Sequence, residues 1–172
     1  MSLLRRVATR DRIFFVTTNL LRNCQPLNSE ERDAVLRVIA HYRDLGAYRL
    51  FAYCVMPDHL HLLLSPNNKD LSAGIREVKS VSSARIIQGR RTRGSIWQAR
   101  YFDNIIRRAR DFWPKVEYIH SNPVAAGLVV TPSEWRWSSY TAIVNRKPNP
   151  IAVDLIDLPA DPDTVLWPAP WK

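Results

Sequence analysis

The chain has 172 residues, of which 46% are hydrophobic, so it is long enough to bury the core of one compact domain. No stretch approaches the roughly 18 consecutive apolar residues that a membrane span needs, which argues against an integral membrane helix. Its 25 Lys and Arg outnumber its 16 Asp and Glu and give a net charge of +9. Nucleic acid or an anionic membrane is therefore the first partner to consider, beside the alternative of a cationic surface with no partner.

Two features of the sequence indicate where the protein works. Cys24 and Cys54 lack the C-x-x-C or Cys/His spacing of a zinc site, so we expect them to be reduced, buried thiols. The N-terminal residues 1–12 are basic and lack the apolar run of a signal peptide. Together these features predict a cytoplasmic protein with no membrane contact.

Hydrophobic periodicity predicts alternating strands and helices. Short apolar, β-branched runs indicate strands, and recurrence every three to four residues after a cap at Asn28 or Ser29 indicates the first helix, which Gly46 ends. A Pro-Asp turn signal joins the second and third strands as a hairpin. In chain order we predict strand 12–18, helix 28–46, strand 48–56, strand 59–65, helix 71–88, a strand or irregular segment over 96–107, and helix 111–127.

This β-α-β-β-α-β-α order is typical of the α+β class and predicts a ferredoxin-like antiparallel sheet with helices packed on one face. In the last helix Pro114 must lie in the first turn, and Pro123 interrupts the helix near its end. We take residues 1–147 as the folded domain.

Residues 148–172 differ in kind and are expected to form a Pro-rich, acidic C-terminal tail outside the core. They hold six of the twelve prolines, and four aspartates against one lysine give them a charge of −3. Because this charge opposes that of the domain, we hypothesise that the tail lies over a basic surface and restrains activity.

The His59-Leu60-His61 sequence places two imidazoles on one face of a strand, because residues i and i+2 point the same way. Such a pair is half of a metal site, or else two partly exposed strand histidines with no ligand. The preceding Asp58 can orient an imidazole through a hydrogen bond, or it is simply a turn residue.

A second candidate group is Tyr118 and Asn122, which lie four residues apart and share a helix face if the helix persists that far. Pro123 restricts Asn122 to the final turn. The pair presents a phenol and an amide oxygen on one surface. The alternatives are a tyrosine that packs in the core and an asparagine that starts a turn.

Four motifs occur in order along the chain: VMPDHLHLLL over residues 55–64, WQARYFD over 97–103, YIHSNPVAAGLV over 118–129 and WSSY over 137–140. Together they resemble the motif series of the HUH single-tyrosine transposases, the IS200-like family, and more closely the REP-associated tyrosine transposases. The resemblance extends from about residue 8 to 145. Family members commonly carry Asn where this chain has Asp58.

The resemblance implies a ferredoxin-like fold in which His59 and His61 bind a divalent metal, Asn122 is the third ligand and Tyr118 is the nucleophile. Imidazole and amide ligands without a thiolate suit Mg²⁺ or Mn²⁺, although two histidines alone also accept zinc. The implied substrates are single DNA strands with palindromic hairpins, cleaved and rejoined through a 5′-phosphotyrosine link. Family members include monomers and homodimers.

The positive charge is concentrated in one part of the chain, where residues 76–115 carry eleven basic and three acidic side chains. Such a concentration favours contacts with phosphates over a generally solvated face. A second basic cluster lies near the N-terminus. For the tryptophans, core packing is expected rather than stacking with bases. The candidate DNA-binding residues are Arg5, Arg6, Arg12, Arg76, Lys79, Arg85, Arg90, Arg91, Arg93, Arg100, Arg107 and Arg108.

Two other functions remain open at this point. A non-catalytic module that binds single-stranded DNA or RNA would retain the same fold with a vestigial histidine pair. A metallohydrolase would use the histidine pair to activate water, which would leave Tyr118 dispensable.

Overall fold

Four strands form the centre of the part of the protein that the computed structural model describes, residues 12–67, 70–147 and 149–166. They make one antiparallel sheet in the order β2-β3-β1-β4. The sequence predicted an antiparallel sheet. The strands are β1 Ile13–Asn19, β2 Tyr48–Val55, β3 His59–Pro66 and β4 Phe102–Ile106.

Helices alternate with these strands. They are α1 Ser29–Asp44 between β1 and β2, α2 Leu71–Arg90 between β3 and β4, then α3 Phe112–Ala125 and the short α4 Tyr140–Ile143. The predicted cap of α1 is confirmed: the Asn28 side chain accepts a hydrogen bond from the Glu31 amide, and the Glu31 carboxylate accepts one from the Asn28 amide. After α1, Gly46 has a φ of +76°, a left-handed conformation that favours glycine.

The helices cover both faces of the sheet, which corrects the prediction that they lie on one face. Helices α1 and α2 pack on the face that carries Leu60, Leu62 and Leu64, whereas α3 packs on the opposite face. The reason lies in β2, which is buried on both faces at nearly every position. A strand with such a continuous apolar run needs cover on both sides.

The segment between α2 and β4, which the sequence left as strand or irregular, is mostly irregular. Residue Trp97 is buried at 1% exposure and makes an isolated bridge to Leu20. Only Phe102–Ile106 pairs with β1, so β4 is an edge strand of the described sheet. Its first residues, Phe102 to Asn104, are exposed.

The C-terminal segment over residues 149–166 packs on the domain at several points, so the expectation that it lies outside the core is wrong for two residues. Ile151 and Leu166 are buried, one in the core of each sheet face. The Asp154 carboxylate accepts hydrogen bonds from the Leu50 amide and Arg43. Apolar residues spaced among the prolines thus insert where the sheet faces are open. Residues 148 and 167–172 of the predicted tail lie outside the described residues.

Both cysteine thiols are free. Cys54 is fully buried, and burial raises the pKa of its thiol. Cys24 is half-buried and accepts a hydrogen bond from Arg90 at 3.2 Å. Within residues 12–67, 70–147 and 149–166, no helix has the length and apolar character needed to cross a membrane.

Candidate active site

The two histidines of β3 lie side by side on the face that α3 covers. Their ring centroids are 4.6 Å apart, with the ring planes at 74°. Between them Leu60 points to the opposite face and is 1% exposed. The pattern of alternation predicted this pair correctly, because the apolar core on one face fixes the register of the strand.

His61 is the buried member of the pair, at 3% exposure. Its Nδ1 lies 2.8 Å from the Thr17 hydroxyl, and its ring stacks on Phe15 at a centroid distance of 5.3 Å. Its Nε2 is buried and has no hydrogen-bond partner. Burial and then the neighbouring His59 lower the pKa of His61 to about 3, so the imidazole is neutral at pH 7.

His59 is held between two polar side chains. Its Nδ1 lies 2.6 Å from the Asp58 carboxylate, which can only accept, so Nδ1 carries the proton and donates it. Its Nε2 lies 3.2 Å from Asn122 Oδ1. In the neutral tautomer with the proton on Nδ1, both of these atoms are acceptors, and a shared cation would stabilise them.

Helix α3 brings the phenol and the amide to this histidine pair. Tyr118 is 48% exposed, and its ring centroid lies 5.5 Å from that of His61. Asn122 lies one turn further along, before the helix ends at Ala125. Pro123 is tolerated here because it lies in the last turn of the helix, close to the unpaired end. The structure therefore brings Tyr118, His59, His61 and Asn122 together.

Lys115 also belongs to the site, although the sequence analysis only counted it among the basic residues. It lies one turn before Tyr118 on α3. Its Nζ is 4.5 Å from the ring centroid of Phe15 and 5.3 Å from that of Tyr118. A lysine three residues before the candidate nucleophile was the available sequence signal. Its ammonium group places a positive charge beside the phenol.

The predicted DNA-binding residues do not form one cluster. Arg5 and Arg6 lie outside the described residues, and Arg12 immediately precedes β1. Most of the others are exposed and stand on three parts of the chain. They are Arg76 and Arg85 on α2, Arg91 and Arg93 after it, and Arg100, Arg107 and Arg108 on either side of β4.

A groove of about 540 Å³ runs between α2 and residues 94–101, and Arg76, Lys79 and Tyr101 are among its lining residues. The Lys79 ammonium donates a hydrogen bond to the Ala99 carbonyl at 2.9 Å. Burial lowers the pKa of Lys79. Because α2 and α3 cover opposite faces of the sheet, this groove is separate from the surface that carries Tyr118.

Like Lys79, Arg90 and Arg108 make contacts within the protein. The Arg90 guanidinium pairs with Glu31 and donates to the carbonyls of Gln25 and Pro26, so it fastens the loop before α1 and is not exposed to a ligand. Arg108 pairs with Asp163 of the C-terminal segment at 3.4 Å. Both side chains of that pair are exposed, so it contributes little to the free energy of unfolding.

His120, for which the sequence suggested no role, is buried away from His59 and His61. Its Nε2 lies 2.9 Å from the Ser139 hydroxyl, which also contacts the backbone of Tyr53 in β2. Burial lowers the pKa of His120 to about 4. The contact attaches α3 to the segment that follows it and to the sheet.

Comparison with known proteins gives consistent matches. The model of the IS200-like transposase family matches residues 14–122, which include all four clustered side chains. A REP-associated tyrosine transposase of Escherichia coli K12 is 30% identical over 166 residues, 93% of this chain and 96% of that protein. A putative REP-associated tyrosine transposase of Haemophilus influenzae is 29% identical over 155 residues, 81% of this chain and 86% of that protein.

Among solved structures, that of a REP-associated tyrosine transposase bound to a REP hairpin is similar to this chain. The TM-score is 0.70 at 27% sequence identity, and the match covers 95% of this chain and 98% of that one. The likeness therefore extends over the sheet, the helices on both faces and most of the C-terminal segment.

Proposed function

The chain belongs to the IS200-like transposases, with REP-associated tyrosine transposases among its relatives, and from that premise we propose that it cleaves and rejoins single-stranded DNA through Tyr118. One observation carries the proposal: a half-exposed phenol lies against two histidines and an amide, and the buried Nε2 of His61 has no hydrogen-bond partner. The substrate class is a single strand that folds into a hairpin, as in the complex of the structural relative.

In the proposed reaction the Tyr118 oxygen attacks a phosphorus of the DNA backbone. The phenol gives its proton to water, an O–P bond forms, and the bond from phosphorus to the 3′-oxygen breaks. The 3′-oxygen takes up a proton and leaves as a free 3′-OH, while the 5′-phosphate stays on the tyrosine. Because the phosphodiester energy is retained, a 3′-OH can attack the same phosphorus and reseal the strand without a nucleotide cofactor.

His59, His61 and Asn122 would hold the divalent ion that this chemistry needs, Mg²⁺ or Mn²⁺. His59 Nε2 and Asn122 Oδ1, 3.2 Å apart, are close enough for one ion to bind both. The partnerless Nε2 of buried His61 fits the same role. The described residues hold no group of three His, Cys, Asp or Glu side chains suited to a metal, so the proposed site depends on the Asn122 amide as its third ligand. When bound, the ion makes the phosphorus more electrophilic.

The remaining residues of the site orient these groups. Asp58 accepts the Nδ1 proton of His59 and so keeps the lone pair of Nε2 directed at the site. With an ion on Nε2 of His61, the proton of that ring would lie on Nδ1 and would be donated to the Thr17 hydroxyl, 2.8 Å away. The Lys115 ammonium, 5.3 Å from the phenol ring, attracts the phosphate to the nucleophile. Tyr118 and the histidines lie in the same chain, so either a monomer or a homodimer is compatible with the site.

The test is covalent capture of a hairpin-bearing DNA strand that carries a different label at each end. With Mg²⁺ or Mn²⁺, the wild type is expected to form an adduct that survives SDS. The adduct should carry the 3′-end label, because the fragment with the 5′-phosphate stays on the protein, and the 5′-labelled fragment should end in a 3′-OH. Tyr118→Phe should form no adduct and still bind the DNA to within about threefold.

Tyr42→Phe is the matched control, because Tyr42 lies on α1 at the other face of the sheet and donates to Glu77. It should form the adduct at the wild-type rate. Absence of any wild-type adduct with either ion would favour a binding module without catalysis. Cleavage by Tyr118→Phe with free 5′-phosphate products would instead indicate a hydrolase that uses water.

A further inference from the structure

The edge strand β4 places an apolar ring at the margin of the proposed site. Phe102 is 57% exposed, the opposite of what a phenylalanine in a strand usually shows. It pairs in register with Thr17, and Thr17 pairs in register with His61. Residues that face each other across a sheet point to the same side, so Phe102, Thr17 and His61 form one row on the face of the active site.

A second contact connects Phe102 with the nucleophile. Phe15 lies between them, with ring centroids 6.5 Å from Phe102 and 5.8 Å from Tyr118. Phe102 therefore ends a continuous set of rings that starts at Tyr118. Phe15 is buried at 5% exposure, whereas Phe102 is open to solvent.

The surroundings of Phe102 fit a single nucleic acid strand. Arg100 and Arg107 are exposed, one just before and one just after β4 in the chain. Lys115 lies over Phe15, on the same face of the sheet as Phe102. Proteins that hold single strands combine such cations for the phosphates with exposed aromatic rings for the bases. Two strand spacings, roughly 10 Å, separate Phe102 from His61, so a phosphate bound at the histidines would lie about one nucleotide from the ring.

We propose that the face of the Phe102 ring stacks on the unpaired base next to the scissile phosphate and so sets the position of the strand. This inference rests on the proposed function, because the base is defined by its distance from the phosphate that Tyr118 attacks. Stacking on a ring tolerates any base, so Phe102 would supply affinity and register but little sequence preference.

Binding is measured in the Tyr118→Phe background, so that no covalent product forms, with a hairpin-bearing strand in which one nucleotide at a time is abasic. Phe102→Ala is expected to weaken binding of the intact strand roughly 5- to 150-fold, and Phe102→Tyr to change it by less than about twofold. One abasic position beside the cleavage site should weaken binding to the parent, which retains Phe102, by a similar factor. The same abasic position should not weaken binding to Phe102→Ala any further.

The proposal would be overturned if Phe102→Ala bound the intact strand as tightly as the parent does. It would also be overturned if every abasic position weakened binding to Phe102→Ala as much as it weakens binding to the parent. A change of oligomeric state in Phe102→Ala with unchanged DNA affinity would also overturn it, since the ring would then serve a second copy of the chain. Failure of the proposed function is a separate result: the wild type would form no adduct, whatever the abasic series shows. Thermal unfolding of Phe102→Ala should match the parent closely, because the ring is exposed.

Discussion

The two faces of the sheet differ in how completely they are covered. On the face under α1 and α2, Leu60, Leu62 and Leu64 of β3 are each 1% exposed and the core is closed. On the other face, α3 covers Leu63 and the neighbouring part of β2, whereas Phe102 of the edge strand β4 is exposed. The proposed chemistry lies where this cover stops.

This difference in cover shows how strand β3 contributes both to the core and to the proposed site. Side chains of β3 alternate between a closed apolar core and a face with two imidazoles, so stability and chemistry are divided by position along the strand. Both faces combine apolar packing with buried polar contacts. On the active-site face the Trp135 indole donates to the Val55 carbonyl at 3.1 Å, and on the closed face the Tyr48 hydroxyl donates to the Ile39 carbonyl at 2.8 Å.

The largest effect is expected on the open face, from His61→Gln. The substitution removes a proposed metal ligand, and the rate of adduct formation with Mn²⁺ should fall at least 100-fold. Because the substitution also removes the stacking on Phe15 and the contact with Thr17, thermal unfolding of the variant is measured first, and rates are compared at a temperature at which both proteins are folded. The measurement is the initial adduct rate at saturating DNA.

His41→Gln, an exposed histidine on α1, is the control for this substitution and should keep the wild-type rate. If His61→Gln formed the adduct at a rate within threefold of the wild type, the proposal that this face of the sheet carries the chemistry would be refuted.

The closed face should give the complementary result in Leu62→Ala, one position along β3. Removing a buried leucine side chain costs about 2–5 kcal/mol of unfolding free energy, through lost burial and the cavity that remains. Urea denaturation would measure this loss. Under conditions in which the variant stays folded, its adduct rate should be within twofold of the wild type. A stable but inactive Leu62→Ala would show that the closed face also shapes the site.

The alternation along β3, the cap at Asn28 and the family resemblance were predicted from sequence and are confirmed. These features depend on local patterns, because a strand repeats every two residues and a cap spans three. The positions of Tyr118 and Asn122 one turn apart also followed from spacing within one helix.

Features that depend on distant contacts were not predictable in the same way. The position of α3 on the second face follows from the need to cover β2, and the helix sequence does not specify it. Arg90 belonged to a basic run, yet it is tied to Glu31, 59 residues away in the chain. Phe102 looked like an ordinary strand residue, since its exposure depends on β4 being an edge. The effect of the C-terminal segment on activity stays a prediction.

The smallest predicted effect concerns the polar attachment of α3 and its dependence on pH. Burial lowers the pKa of His120 to about 4 from an ordinary value of 6.5, so the folded protein holds this imidazole neutral while the unfolded chain protonates it below 6.5. The corresponding stability is fully present above pH 6.5 and is lost as the pH falls toward 4. At pH 5 the free energy of unfolding has fallen by about 2 kcal/mol, that is, by 1.36 kcal/mol for each of the 1.5 pH units below 6.5.

His120→Gln isolates this contribution, because both proteins keep every other titrating group, including His61. Urea unfolding of each protein at pH 7.5 and pH 5, in chelator to exclude metal effects, gives two losses of free energy. The loss in His120→Gln should be smaller by about 2 kcal/mol, even though the variant starts less stable without the imidazole contact to Ser139. Equal losses of unfolding free energy in the two proteins would mean that His120 is protonated in the folded state. Helix α3 would then open to water before the protein unfolds.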